Sequence, residues 1–232
     1  MKIGIIGAGD VGQTLAKLWI QAGHSVILSS RHPETLEPII QKLGSLAKAA
    51  TVAQTAIEGD ILLLAVNYAT VDAAIAQIAP HVTNKVVIDA TNPLRYSDEG
   101  GLERVIGDRE IAGLVMADKL PNARIVKAFT TLWTGYLQQH AHRPYPQVAI
   151  ALAGNAGDKP AVATLINDAG FDPVDLGTLA DSRPLDPPST IWNQVLTAEE
   201  VRSRSIPNFT RRITKSPTAR SVNIRKRAIR PS

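Results

Sequence analysis

The tightest constraint on how this chain can fold lies in its first twelve residues. Lys2-Ile3-Gly4-Ile5-Ile6 is a short apolar run of strand type, and Gly7-Ala8-Gly9-Asp10-Val11-Gly12 follows it without a gap. Residues 13–22 then place Leu15, Leu18, Trp19 and Ala22 at helical spacing, and Gly23 stands where a helix would stop. Strand, glycine turn and helix in that order form the context that a dinucleotide-binding fingerprint requires. Each glycine has its own task. Gly7 makes the tight turn, Gly9 lets the backbone approach a pyrophosphate, and Gly12 lets helix and strand pack closely. The first helical N–H groups then face the phosphates with the positive end of the helix dipole behind them. A strand-to-helix turn without a ligand is the competing reading of any bare glycine motif; here the flanking elements and a signal at the end of the second strand favour the nucleotide.

That second strand, residues 25–30, ends in Ser29-Ser30-Arg31-His32. An NAD-preferring site usually carries an acid here for the ribose hydroxyl pair. A carboxylate would repel a 2′-phosphate, whereas a hydroxyl and a guanidinium bind it with charge-assisted hydrogen bonds. Ser30 and Arg31 therefore point to NADP over NAD, against the plainer reading of Arg31 as a solvated loop cation. His32 is placed to touch the same phosphate.

Strands and helices continue to alternate along the chain. A helix is expected over residues 33–43, a short strand over 49–51, and a near-continuous apolar strand over 60–66 of the kind buried on both faces of a parallel sheet. Asn67 and Tyr68 follow it, and Thr70 is placed to cap a helix reaching residue 79. Residues 85–89 are the next strand, with Ala90-Thr91-Asn92-Pro93-Leu94 as its exit loop. Residues 95–108, containing Gly100-Gly101, read as a mobile lid or equally as a structural loop. A helix over 111–120, strands over 124–129, 147–153 and 171–176, and a helix over 158–169 complete the series. This alternation with short connections predicts one α/β unit, a Rossmann-type doubly wound and mostly parallel sheet over residues 1–195. Ligands of such sheets bind at the carboxyl ends of the strands.

Composition narrows the chemistry. Of 232 residues, 44% are hydrophobic and 20% charged, as in an ordinary globular protein. Cys is absent, which excludes disulfides, a thiolate nucleophile and Cys-ligated metals. The five histidines show no metal spacing, so no metal site is expected; His24, at the start of a strand, reads as structural. With no apolar run of membrane length and a strand starting at Lys2, the expectation is a cytoplasmic protein without a membrane contact. The net charge of +4 is uneven. Ten of the 25 Lys and Arg residues lie after Glu200, leaving 15 basic residues against all 21 Asp and Glu in the rest. A basic tail over residues 202–232, rich in Ser, Pro and Thr, is expected to be disordered, and any contact with nucleic acid would rest on it alone.

Several further stretches fall in the order of a known group: Asp89-Ala90-Thr91-Asn92-Pro93, Lys127-Ala128-Phe129-Thr130-Thr131, Ala153-Gly154-Asn155, and residues 170–177 reading Gly-Phe-Asp-Pro-Val-Asp-Leu-Gly. With the glycine turn and Ser30-Arg31, they resemble the NADP oxidoreductases dependent on the deazaflavin coenzyme F-420, and are also similar to the reductase domain of the STEAP metalloreductases. The resemblance implies hydride transfer between NADP(H) and a deazaflavin or flavin acceptor, chemistry in which the cofactor does the work and the protein positions it. It implies that Gly7, Ala8, Gly9, Asp10, Val11 and Gly12 hold the pyrophosphate and that Ser30 and Arg31 hold the 2′-phosphate. Ala65, Val66, Asn67, Ala90, Thr91 and Asn92 would lie near the nicotinamide half. Tyr68, Pro93, Thr130 and Trp133 would face the acceptor, Trp133 and Tyr136 being equally readable as core or dimer contacts. A small-molecule acceptor and a homodimer are the implied partners, and no side chain is singled out as catalytic.

Two departures stand out. Thr130 occupies a position where the group commonly has Asn, and Pro184-Leu185-Asp186-Pro187-Pro188 replaces an expected helix beside the acceptor. A non-catalytic NADP-binding sensor, and an imine or ketone reductase of the 6-phosphogluconate dehydrogenase-like group, are the other readings of the same residues.

Overall fold

The computed structural model describes residues 1–97 and 101–205. The chain runs through β1 (Lys2–Ile6), α1 (Asp10–Gln21), β2 (Ser25–Ser29), α2 (Glu37–Leu43), β3 (Ala47–Ala50), α3 (Val52–Glu58), β4 (Ile61–Leu64), α4 (Val71–Ile78) and β5 (Val86–Asp89). It continues through β6 (Leu94–Tyr96), β7 (Leu102–Arg104), α5 (Ala112–Lys119), β8 (Arg124–Ala128), α6 (Thr134–His140), β9 (Ala149–Gly154), α7 (Lys159–Asp168), β10 (Asp172–Asp175) and α8 (Ala198–Ser205).

Eight strands form one sheet in the order β10-β9-β8-β5-β4-β1-β2-β3. The chain winds outward from β1 to β3, returns to the other side of β1 as β4, and winds outward again. That reversal opens a crevice between the exits of β1 and β4, where a doubly wound sheet receives its ligand. Every pairing from β3 to β8 is parallel, but β9 runs antiparallel to β8, and β10 is parallel to β9. The expected mostly parallel Rossmann-type sheet is therefore present, with its last two strands reversed. The reversal turns Asn155 toward the far edge of the sheet, away from the crevice.

Both faces are covered, and this explains why β4 and β5 are buried at every position. On one face Leu15, Trp19, Phe129, Leu137, Val162 and Leu165 form the larger core; on the other Val52, Ala56, Val71, Ile75, Ile78 and Met116 form a second. Trp19 is fully buried, donates from Nε1 to Leu165 O at 2.8 Å, and meets Phe129 edge to face at 5.9 Å between centroids. Truncating such a residue to Ala typically costs about 3–5 kcal/mol.

Four local expectations are corrected. Residues 33–36 form a 3-10 turn before α2 rather than one continuous helix, because Pro33 and Pro38 each lack an N–H for a regular ladder. Thr70 stands at the N-cap position of α4 but its side chain makes no capping bond; its hydroxyl donates backwards to Asn67 O. The stretch after Asn92 is a β-hairpin, β6 with β7, rather than a plain loop. The folded unit also runs past residue 195 into α8, where Leu196, Ala198 and Val201 are buried against β9 and β10. The basic tail thus loses residues 202–205 to a helix, and its remainder, 206–232, lies outside the described residues.

Candidate functional site

The turn after β1 shows why its three glycines are not equivalent. Gly7 has φ +112°, and a Cβ there would stand 2.4 Å from Ala65 O. A Cβ on Gly12 would stand 2.1 Å from Gly7 O, so α1 could not sit this close to β1. Gly9 has no neighbour within 4 Å of a would-be Cβ. The protein's own packing demands the first two; it makes no demand on the third. Gly7 N–H donates to Ser29 Oγ at 3.2 Å, and Gln13 Nε2 donates to Ala8 O at 2.7 Å, which ties the turn to β2 and α1. Gly9 is the N-cap of α1 without a side-chain cap, so first-turn N–H groups remain available to an anion. Asp10 is the first helical residue and exposed.

At the end of β2, Ser30 Oγ accepts from His32 N–H at 3.0 Å, and Arg31 is exposed with no ion pair among the described residues. The His32 ring faces Glu34 at 3.4 Å, both about three-quarters exposed.

From the glycine turn a cleft of about 680 Å³ crosses the exits of β4 and β5. It brings together Gly9, Asp10, Val11, Ala65, Val66, Asn67, Tyr68, Ala90, Thr91, Asn92 and Trp133. A recess of about 350 Å³ continues from it, sharing Val11, Ala90, Asn92, Tyr96, Leu102 and Trp133, with Phe129, Thr130, Leu132 and Trp192 added. Pro93, expected toward the acceptor, is buried, and its carbonyl accepts from Val105 N–H; it lines neither space. Tyr136 packs on the larger core instead of the cleft. Gly7 and Gly12 shape the site from beneath.

The loop after β5 is fixed by buried charge. Lys127 Nζ donates to Asp89 Oδ2 and to Thr91 O, each at 2.9 Å, while Asp89 Oδ1 accepts from Thr91 N–H at 2.9 Å and from its hydroxyl at 2.7 Å. Thr91 therefore spends its hydroxyl inward and offers the cleft only its backbone and methyl. Asn92 Nδ2 donates to Thr130 O at 3.0 Å, and Thr130 Oγ1 donates to Leu185 O at 3.0 Å. Between these, Phe129 holds φ +60°, a left-handed conformation costly for a bulky residue and stabilised by its buried contact with Trp19. That kink sends Thr130–Trp133 back over the recess. Burial, then the nearby Asp89 carboxylate, hold the Tyr68 phenol above its ordinary pKa, so it stays protonated and acts as a neutral hydrogen-bonding group.

The hairpin is the part of the site that the sequence did not reveal. Arg104, nine-tenths buried, donates to Glu110 O at 2.7 Å and Pro187 O at 3.2 Å, and lies 3.4 Å from Asp186, which is fully buried and accepts from Ala112 N–H at 2.9 Å. The helix-breaking segment 184–188 thus replaces a helix with an anchor for β7. Held this way, the hairpin presents Tyr96 and Leu102, 82% and 52% exposed, beside Trp133 at 70%. Such exposure of three large apolar side chains around one opening is unusual for a solvated surface.

The glycine turn, the crevice at the strand reversal and the basic end of β2 define a Rossmann-type fold of the kind that receives dinucleotides. The family model described as NADP oxidoreductase, coenzyme F420-dependent, matches residues 2–93. The chain is 25% identical over 185 residues to the metalloreductase STEAP3 of Rattus norvegicus, which covers 80% of this chain and 36% of that protein. It is 34% identical over 114 residues to the F420-dependent NADP reductase of Methanothermobacter marburgensis, covering 46% of this chain and 51% of the relative. The chain thus spans about half or less of the curated relatives it matches. The solved structure of the protein SMa0349 from Sinorhizobium meliloti superposes with a TM-score of 0.73 at 28% identity, covering 85% of this chain and 95% of that one. Among the described residues no three His, Asp or Glu side chains converge as a metal site, and no helix is long and apolar enough to cross a membrane.

Proposed function

We propose that the chain is an NADP(H)-dependent oxidoreductase that passes a hydride between the nicotinamide and a planar acceptor of deazaflavin or flavin type. The open space over Gly9 carries this reading, because the adjoining glycines are explained by packing and this one is not. Gly9 and the start of α1 would hold the pyrophosphate; Ser30 and Arg31 would hold the 2′-phosphate. The dinucleotide would then cross the crevice so that its nicotinamide reaches Val66, Asn67, Ala90 and Asn92.

The recess lies where a second ring would have to stand. Trp133, Tyr96, Leu102 and Trp192 supply apolar and aromatic surface there, suited to stacking a planar system and excluding water. Among the described residues lining the cleft no acid is paired with a base, and Tyr68 is kept neutral. This suits a reaction that needs proximity and orientation more than proton transfer.

The acceptor is tested by following NADPH oxidation with a deazaflavin, a flavin, a ferric chelate, a small imine and a ketone in turn. Turnover with the deazaflavin or flavin supports the reading. A ferric chelate alone would move the function toward the activity named for STEAP3. Saturable binding with no turnover of any acceptor would make the chain a nucleotide sensor.

A further inference from the structure

A lysine with no exposed surface in the middle of an apolar sheet calls for a reason. Lys127 and Asp89 are partners in the parallel ladder of β8 and β5, at its carboxyl end, among Val86, Val87, Ile88, Ile125, Val126 and Ala128, all apolar and buried. The lysine stem passes under α5, where a Cβ on Gly113 would lie 3.4 Å from Lys127 Cδ. Its ammonium meets a carboxylate whose side chain is 1% exposed. Replacing such a buried pair by apolar residues is often neutral or stabilising, so the pair is poor evidence for stability alone.

What the pair does control is the wall of the cleft. The ammonium and the carboxylate between them engage the N–H, the hydroxyl and the carbonyl of Thr91. With all three groups of Thr91 engaged, the residues on either side of it are fixed, and those are Ala90 and Asn92, which line both the cleft and the recess. Asn92 extends the link to Thr130 O at the exit of β8. Gly9, Ser30 and Arg31, at the exits of β1 and β2, have no direct contact with this network.

We infer that Asp89 and Lys127 are positioning residues for the nicotinamide half of the cofactor, setting the wall formed by Ala90–Asn92 without touching the cofactor. The inference rests on the nucleotide reading proposed above. It predicts that removing the pair separates the two halves of the dinucleotide.

The test compares two ligands, NADPH and 2′-phospho-ADP-ribose, which lacks the nicotinamide. In Lys127→Met, which keeps the stem and removes the charge, NADPH should bind about tenfold more weakly while the fragment stays within about twofold of wild type. Equal weakening of both ligands would mean the pair is only structural, and no change in either would mean it does not set the wall; each result overturns the inference. Asp89→Asn/Lys127→Met leaves no lone buried charge and keeps an acceptor for Thr91. Titrated with the same two ligands, it should show the same selective loss of NADPH, and equal or absent losses overturn the inference again. A single variant that fails to fold therefore does not spare it. Wild type that binds neither ligand defeats the nucleotide reading itself; wild type that binds both equally leaves the adenosine site standing and overturns only the inference.

Discussion

The two ends of the cleft are built in different ways. At the glycine turn everything needed lies within six consecutive residues, and the geometry follows from which of them can carry a side chain. At the recess the wall is assembled from contacts that span 38 residues between Asn92 and Thr130, 55 between Thr130 and Leu185, and 82 between Arg104 and Asp186. The first end is local and backbone-made. The second is long-range and held by side chains, so it can vary in shape while the glycine turn stays the same.

The contrast is broken most severely at Gly9. A Cβ at Gly9 has no protein atom within 4 Å, so Gly9→Val should unfold close to wild type while binding of NADPH and NADH is abolished. Gly12→Ala meets Gly7 O and should lower stability by about 1–3 kcal/mol or more, read in the same melt. If Gly9→Val binds normally, the turn is not the nucleotide seat.

The next effect is at the other end. Arg104→Met takes away a buried partner of Asp186 and should destabilise by about 3 kcal/mol in denaturant titration. Because the loss falls on the hairpin, turnover of the acceptor should drop more than affinity for NADPH. Equal losses would mean that the hairpin does not belong to the acceptor side.

Smaller changes sharpen the comparison. Arg31→Ala should weaken NADPH about tenfold and leave NADH unchanged, by fluorescence titration of each. The same loss for both would remove Arg31 from the 2′-phosphate. Trp133→Ala, at an exposed position, should leave stability within about 0.5 kcal/mol and raise the KM for the acceptor but not for NADPH.

The same contrast explains what could be read in advance. Strand, turn and helix at the start were legible because β1 is apolar after Lys2, and the packing roles of Gly7 and Gly12 follow from spacing. Ala65–Asn67 and Ala90–Asn92 were legible as strand exits, since the sheet order places β4 beside β1 and β5 beside β4. The hairpin was not. Leu94-Arg95-Tyr96 and Leu102-Glu103-Arg104 are three-residue strands with little alternation, and the burial of Arg104 depends on Asp186 far along the chain. Lys127 sits in a run that looks like any other strand, and its inward course is fixed by α5 packing over it. The left-handed Phe129 is held by Trp19, a contact no local pattern carries. α8 is a different case. Thr197 and Glu200 form a reciprocal capping box, a legible start signal, but the helix that follows is so polar that it merged with the basic tail.

The most direct test of the central claim is an equilibrium titration of the purified chain with NADPH and with NADH, followed by the fluorescence of the bound nicotinamide. The account predicts one saturable site per chain and tighter binding of NADPH than NADH. No saturable signal with either nucleotide would contradict it.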